Sequence, residues 1–239
     1  VPQAVQQIAD QILNRIPDDR RIKKQWAPRP EAGTVDHVTS IEDLPLHQGD
    51  WLILSRTNDK LIKLKPTLQE MAIYFEIKGR KSYKTRLYTA VKHYTRWTNG
   101  DKLSLSECKD LFEFLELEQE LKEERMYDLK EFNYSIEDQW YEVFKSDPEE
   151  CLYIREMLRN KEELSKPARV KLSTIHAAKG GEATNVLIIL DNTKKIREAV
   201  DKSEDKHDEE HRVWYVGVTR TKQNLYIMTP KREDRSYDI

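Results

Sequence analysis

A chain of 239 residues has room for one large or two modest domains, and with 38% hydrophobic residues, 35% charged residues and only 7 glycines it is neither disordered nor collagen-like. The net charge of −2 and the sequence pI near 6.4 exclude a uniformly basic nucleic-acid binder, so any contact with DNA must come from local sites. Cys108 and Cys151 have neither CxxC spacing nor a partnering histidine cluster, so no zinc site, disulfide framework or other metal set is expected. No apolar run approaches the length of a membrane span, and the balance is that of a helix-rich, soluble, cytoplasmic chain.

The chain opens on Val1-Pro2 without an initiator methionine, which reads as a processed chain or a piece of a longer one. From Gln3 to Ile16, Val5, Ile8, Ala9, Ile12, Leu13 and Ile16 recur at helical spacing, so a half-buried helix is expected. Arg20, Arg21, Lys23, Lys24, Pro28 and Pro30 follow as a solvated basic link, and Thr34 to Val38 fits a short strand. Trp51 to Leu54 is an apolar run of strand length, with the look of a parallel strand buried on both faces. The polar residues Ser55, Arg56, Thr57 and Asn58 come directly after it, where open α/β sheets place ligands. Pro66 is expected to kink or start the next helix, which continues through Leu68 and Met71 before a strand at Ile73 to Ile77.

From Lys81 to Lys166 the texture changes to short helices. Leu87, Val91, Tyr94 and Trp97 share a helix face that Asn99-Gly100 ends, and Ser104 with Glu107 forms a capping box. Ser135 and Asp147-Pro148 mark two further helix starts. The segment reads as an all-α insertion in an α/β domain, with Trp97, Trp140 and Tyr141 as core residues. Strand character returns in Val170 to Leu190, where two apolar runs flank a turn carrying Thr174, His176, Lys179, Gly180, Gly181 and Glu182. Asp201 to Asp208 has no apolar period and is expected to be a solvated loop.

A helix then begins near His207. Asp208, Glu209 and Glu210 fall in its first turn, and Val213, Val216, Gly217 and Arg220 lie along a narrow seam. Gly217 costs about 1 kcal/mol against alanine inside a helix, so another backbone or a ligand is expected close to it. The polar link Thr221 to Asn224 leads to a strand at Leu225 to Met228, closed by Thr229-Pro230, and the tail from Lys231 to Ile239 is expected to fray.

Two of these stretches carry chemistry together. T-x-H-x-A-K-G-x-E at Thr174 to Glu182, followed by E-E-x-R-x-x-Y-V-G-V-T-R at Glu209 to Arg220, resembles the last two motifs of the UvrD/Rep-type superfamily 1 DNA helicases. The W-L-I-L strand followed by R-T-N at Arg56 to Asn58 is similar to that family as well. The resemblance implies a RecA-like parallel sheet of the P-loop NTPase type, flanked by helices and interrupted by the helical insertion. It divides the chain into motor residues 1–80, an insertion at 81–166 and motor residues 167–239.

By the same resemblance the ligands are ATP with Mg²⁺ and single-stranded DNA. Arg220 would act on the transferring phosphoryl group as an arginine finger, Glu182 would hold the ribose, and Gly217 would lie beside the nucleotide. Arg56, Asn58, Thr174 and His176 would face the DNA strand, through phosphate contacts that read no bases. Lys179 is left between backbone support and a phosphate contact, and Gly181 stands where many relatives carry a larger apolar residue. The sequence has no GxxxxGK[ST] and no acidic pair at a strand end. The phosphate cradle and the Mg²⁺ ligands are therefore expected from a first RecA-like domain missing here, whose Asn-Tyr-Arg would stand just before Val1. A non-catalytic interaction module that kept the motor fold is the alternative.

Overall fold

The computed structural model describes residues 1–22, 27–117, 121–132, 134, 139–178, 180–230 and 235–239. Lys23, Lys24, Ser135 and Lys179 lie outside the described residues, as do positions 231–234 of the tail. In chain order the elements are α1 (Gln3–Leu13), β1 (Thr34–Val38), β2 (Trp51–Ser55), α2 (Asn58–Glu70), β3 (Phe75–Ile77), β4 (Arg80–Lys81), α3 (Thr85–Thr98), β5 (Leu103–Ser104), α4 (Leu105–Leu115) and β6 (Met126–Tyr127). There follow α5 (Trp140–Val143), α6 (Pro148–Arg159), β7 (Val170–Thr174), β8 (Ala183–Ile189), α7 (Lys194–Lys202), α8 (Glu204–Val218) and β9 (Thr221–Met228). The chain divides into two compact units, one of residues 1–80 with 165–239 and one of residues 81–164.

The first unit is built on a sheet of order β1-β9-β8-β2-β7-β3-β4, whose pairings from β1 to β3 are all parallel. Parallel strands need helices on both faces, and the apolar runs of β2 and β8 divide between two cores with the two-residue period of a strand. Leu52, Leu54, Val186 and Ile188 face α1 and α8 together with Trp214, Leu225 and Ile227. Trp51, Ile53, Leu187 and Ile189 face the other way, onto Leu61 and Leu68 of α2 and the loop residues Ile41, Leu44 and Leu46. This is the α/β architecture the sequence implied.

Several local expectations are corrected. The helix after β2 begins at Asn58 and carries Pro66 in its interior, so the proline does not start it. Asp201 to Asp208 is no loop: α7 runs to Lys202 and Ser203 caps α8 through the Lys206 backbone N–H, so Glu204 and Asp205 occupy the first turn and Asp208 to Glu210 lie further in. The strand after α8 begins at Thr221, because Asn224 and Leu225 extend the ladders to β1 and β8. Arg20 is not merely solvated. It pairs with Asp208 at 3.2 Å and Glu204 at 2.5 Å, while the Arg21 side chain bonds Asp18 and Asn14.

The described end of the tail does not fray either. Tyr237 is buried, its ring stacks on Trp214 at 4.8 Å, and its hydroxyl meets His211 Nδ1 at 2.5 Å. Among the described residues no helix is long and apolar enough to cross a membrane.

The second unit is mostly helical, but Leu103 and Ser104 of β5 pair antiparallel with Tyr127 and Met126 of β6, so it is not all-α. Ser104 and Glu107 form the capping box of α4, and Asp147 caps α6 with Pro148 in its first turn. Trp97 is fully buried among Phe112 and Phe132, Trp140 is buried beside Phe144, and half-buried Tyr141 lies under the guanidinium of Arg155.

Candidate functional site at two edges of one sheet

The register separates the residues singled out in the sequence into two groups. Ser55 pairs with Thr174, so Arg56, Asn58, Thr174 and His176 gather where β2 and β7 end, at the C-terminal edge of the sheet. Ala183 pairs with Thr221 and its N–H donates to the Arg220 carbonyl at 3.2 Å, so Glu182 and Arg220 are neighbours at the opposite, N-terminal edge. Glu182 lies close to His176 in sequence but not in space. β7 ends at Thr174 at the C-terminal edge and β8 begins at Ala183 at the N-terminal edge, both strands lying beside β2.

At the C-terminal edge Thr174 organises the turn, its carbonyl accepting from the Ala178 N–H at 3.0 Å and its hydroxyl from the Ala177 N–H at 3.3 Å. That leaves the hydroxyl proton free to donate and His176 exposed just beyond. Asn58 is half-buried in the first turn of α2. Arg56 is more constrained than R-T-N suggested. Its Nε–H is shared by both carboxylate oxygens of Glu210, at 3.1 and 3.0 Å, and its Nη1 lies 3.4 Å from His176 Nδ1. Glu210 is buried and accepts a 2.7 Å hydrogen bond from Trp214 Nε1, and Trp214 is fully buried.

Glu210 and Trp214 were missed in the sequence. The spacing carries the signal, since Glu210, Trp214 and Val218 recur at i, i+4 and i+8, whereas the Val213 and Val216 seam is only half-buried. Next to this group, Glu209 is held below the usual carboxylate range by its hydrogen bond to Lys206, with Arg56 adding a smaller effect.

At the N-terminal edge Arg220 follows α8 directly. Its Nε donates to the Val216 carbonyl at 3.0 Å and its Nη2 lies 3.4 Å from Thr219 Oγ1, so the side chain is folded back on the end of its own helix. No carboxylate among the described residues pairs with it, and Glu182 beside it is exposed. A half-buried guanidinium of this kind keeps donors and charge for an anion, and the carboxylate of Glu182 can accept from hydroxyls. Val1 and Pro2 approach the same edge. A side chain at Gly33, which has φ +67° and precedes β1, would strike Pro2 and the Gln223 carbonyl. Among the described residues no three His, Cys, Asp or Glu side chains gather as a metal site would require.

Gly217 of α8 packs closely on the sheet. A Cβ there would come 3.0 Å from Ile188 Cδ1 and 3.3 Å from Ile175 Cδ1, so two core side chains of the sheet approach the glycine closely.

Comparison with protein families decides the relationship, since the model of the UvrD-like helicase C-terminal domain matches residues 34–232. The chain belongs to this family. No curated protein matches it. The match includes both edges of the sheet, from Arg56 to Arg220, and the residues of the second unit, which is inserted in that stretch of sequence. The chain is thus a C-terminal domain of the UvrD-like helicase type, built on a mostly parallel sheet.

Proposed function

We propose that this domain is one half of an ATP-driven motor on single-stranded DNA. The observation that carries the reading is the division of its polar residues between opposite edges of one sheet, with an arginine that has no acidic partner among the described residues at one, and Thr174, His176 and Asn58 beside the ion-paired Arg56 at the other.

At the N-terminal edge Arg220 contributes positive charge to the transferring phosphoryl group, and Glu182 accepts from the ribose. Stabilising charge that develops in the transition state is the main task of a protein in phosphoryl transfer. The phosphate loop and the ligands of Mg²⁺ are assigned to a complementary RecA-like domain, because this sequence contains no GxxxxGK[ST]. At the C-terminal edge the Thr174 hydroxyl, His176 and Asn58 donate to phosphate oxygens without reading bases.

The decisive experiment is single-strand-stimulated ATP turnover by the native, full-length protein, comparing it with its Arg220→Ala variant. Turnover is expected to fall about a hundredfold or more while nucleotide binding is largely kept. The 239-residue chain by itself is expected to turn over no ATP and to bind oligonucleotides weakly with a salt-dependent affinity. Robust hydrolysis by the isolated chain, or equal turnover of parent and variant, refutes the reading.

A further inference from the structure

Arg56 is the obvious cation at the C-terminal edge, yet its charge is already engaged. The side chain of Glu210 is only 6% exposed, that of Arg56 only 19%, and the arginine Nε–H serves both carboxylate oxygens. Glu210 cannot swing away, since it is buried and holds the Trp214 indole N–H at 2.7 Å in the core. Trp214 thus fixes Glu210, Glu210 fixes the guanidinium, and the guanidinium presents Nη1 to His176 Nδ1 at 3.4 Å.

Arginine has donors and no acceptor, and it stays protonated. The ring nitrogen facing it must therefore accept, which places the imidazole proton of neutral His176 on Nε2, on the far side of the ring from Arg56. We propose that Glu210 and Arg56 are positioning residues that hold His176 as an Nε2–H donor, and that this donor, rather than the Arg56 charge, contacts the phosphate of a bound single strand. The phosphate partner rests on the reading of this edge given above; the state of His176 does not.

The first test uses the free chain labelled with ¹⁵N-histidine, with His176 assigned through His176→Gln and two-bond ¹⁵N–¹H correlations recorded near neutral pH. The parent is expected to show His176 protonated at Nε2, with Nδ1 at the shift of a hydrogen-bonded acceptor. In the double variant Arg56→Met/Glu210→Gln, Nδ1 is expected to move toward a tautomer-averaged shift. This variant leaves no buried charge unpaired, keeps an acceptor for Trp214 and does not alter net charge, which guards the fold. A parent protonated at Nδ1, or an identical Nδ1 shift in parent and variant, overturns the proposal whether or not DNA binds.

The second test is oligo-dT affinity as a function of salt. The double variant is expected to bind about three- to tenfold more weakly at every salt concentration, the range one neutral hydrogen bond spans, with an unchanged salt slope. A slope reduced by about one would identify Arg56 as the phosphate contact and overturn the proposal. An absence of oligonucleotide binding by the parent would instead refute the reading of the edge, and the phosphate contact with it.

Discussion

Lowering the pH should loosen the first unit through one histidine. His211 sits on α8 with its Nδ1 against the Tyr237 hydroxyl and its Nε2 3.2 Å from His207 Nε2. Burial, then the charges of His207 and Arg15, pull its pKa from 6.5 down to about 4, with Asp208 acting weakly the other way. The folded chain therefore holds this ring neutral, and the unfolded chain takes up the proton more readily. The stabilisation is complete above the unfolded value of about 6.5 and is lost as the pH falls toward 4. Linkage between about pH 7 and pH 5 gives at most about 2 kcal/mol, and solvent around the partly exposed His207 reduces that to about 1–2 kcal/mol. Urea unfolding at those two pH values, followed by tryptophan fluorescence, would compare the parent with His211→Asn, whose amide can still meet the Tyr237 hydroxyl. At about 2 kcal/mol per molar urea the parent midpoint should drop by about 0.5–1 M more than that of the variant. Other carboxylates titrate alike in both proteins, so equal drops would refute the assignment to His211.

Two further substitutions test the packing and the ion pairs. Gly217→Ala is expected to change stability by less than about 1 kcal/mol, since the gain in helix propensity is offset by a Cβ that crowds the Ile188 and Ile175 side chains by a few tenths of an ångström. Gly217→Val adds branches against the same two side chains and should cost about 2 kcal/mol or more by thermal or urea unfolding. Arg20→Ala strips buried Asp208 of its partner and should cost about 1–3 kcal/mol, with most of the loss restored in the Arg20→Ala/Asp208→Asn double variant. Failure of the second change to rescue the first would place the role of Arg20 in its contacts other than the ion pair.

What could be read directly was whatever repeats at short range. The continuous apolar runs of β2 and β8 announce strands covered on both faces, and Ser104 with Glu107 announces a helix start from side-chain chemistry alone. What could not be read depends on partners distant in sequence. The charged stretch through Lys202 and Asp208 has no apolar period, and it is helical with Thr193 and Ser203 as caps and Arg20, from the other end of the chain, on its acids. Tyr237 has no pattern around it because its partners are Trp214 and His211 on α8. The two motifs single out candidate residues, but the parallel register decides that Thr174 and Glu182 stand at opposite edges.

That separation gives α8 a particular place in the molecule. The helix runs antiparallel to the strands, from Glu210, which grips Arg56 at the C-terminal edge, to Arg220 at the N-terminal edge, about 15 Å further along at the rise of an α-helix. Between these points it touches the sheet through Trp214, fully buried, and through Gly217, which lets Ile175 and Ile188 approach closely. Ile175 stands between Thr174 and His176, so the turn at the C-terminal edge packs on the same helix that ends at Arg220. Close-packed interiors transmit displacement instead of absorbing it, because few voids are available to take up a shift. A helix anchored by an ion pair, an indole and a glycine contact therefore cannot shift as a body without disturbing its contacts with Arg56 and Ile175. The two edges, across which the first motif is divided, are thus joined by one helix.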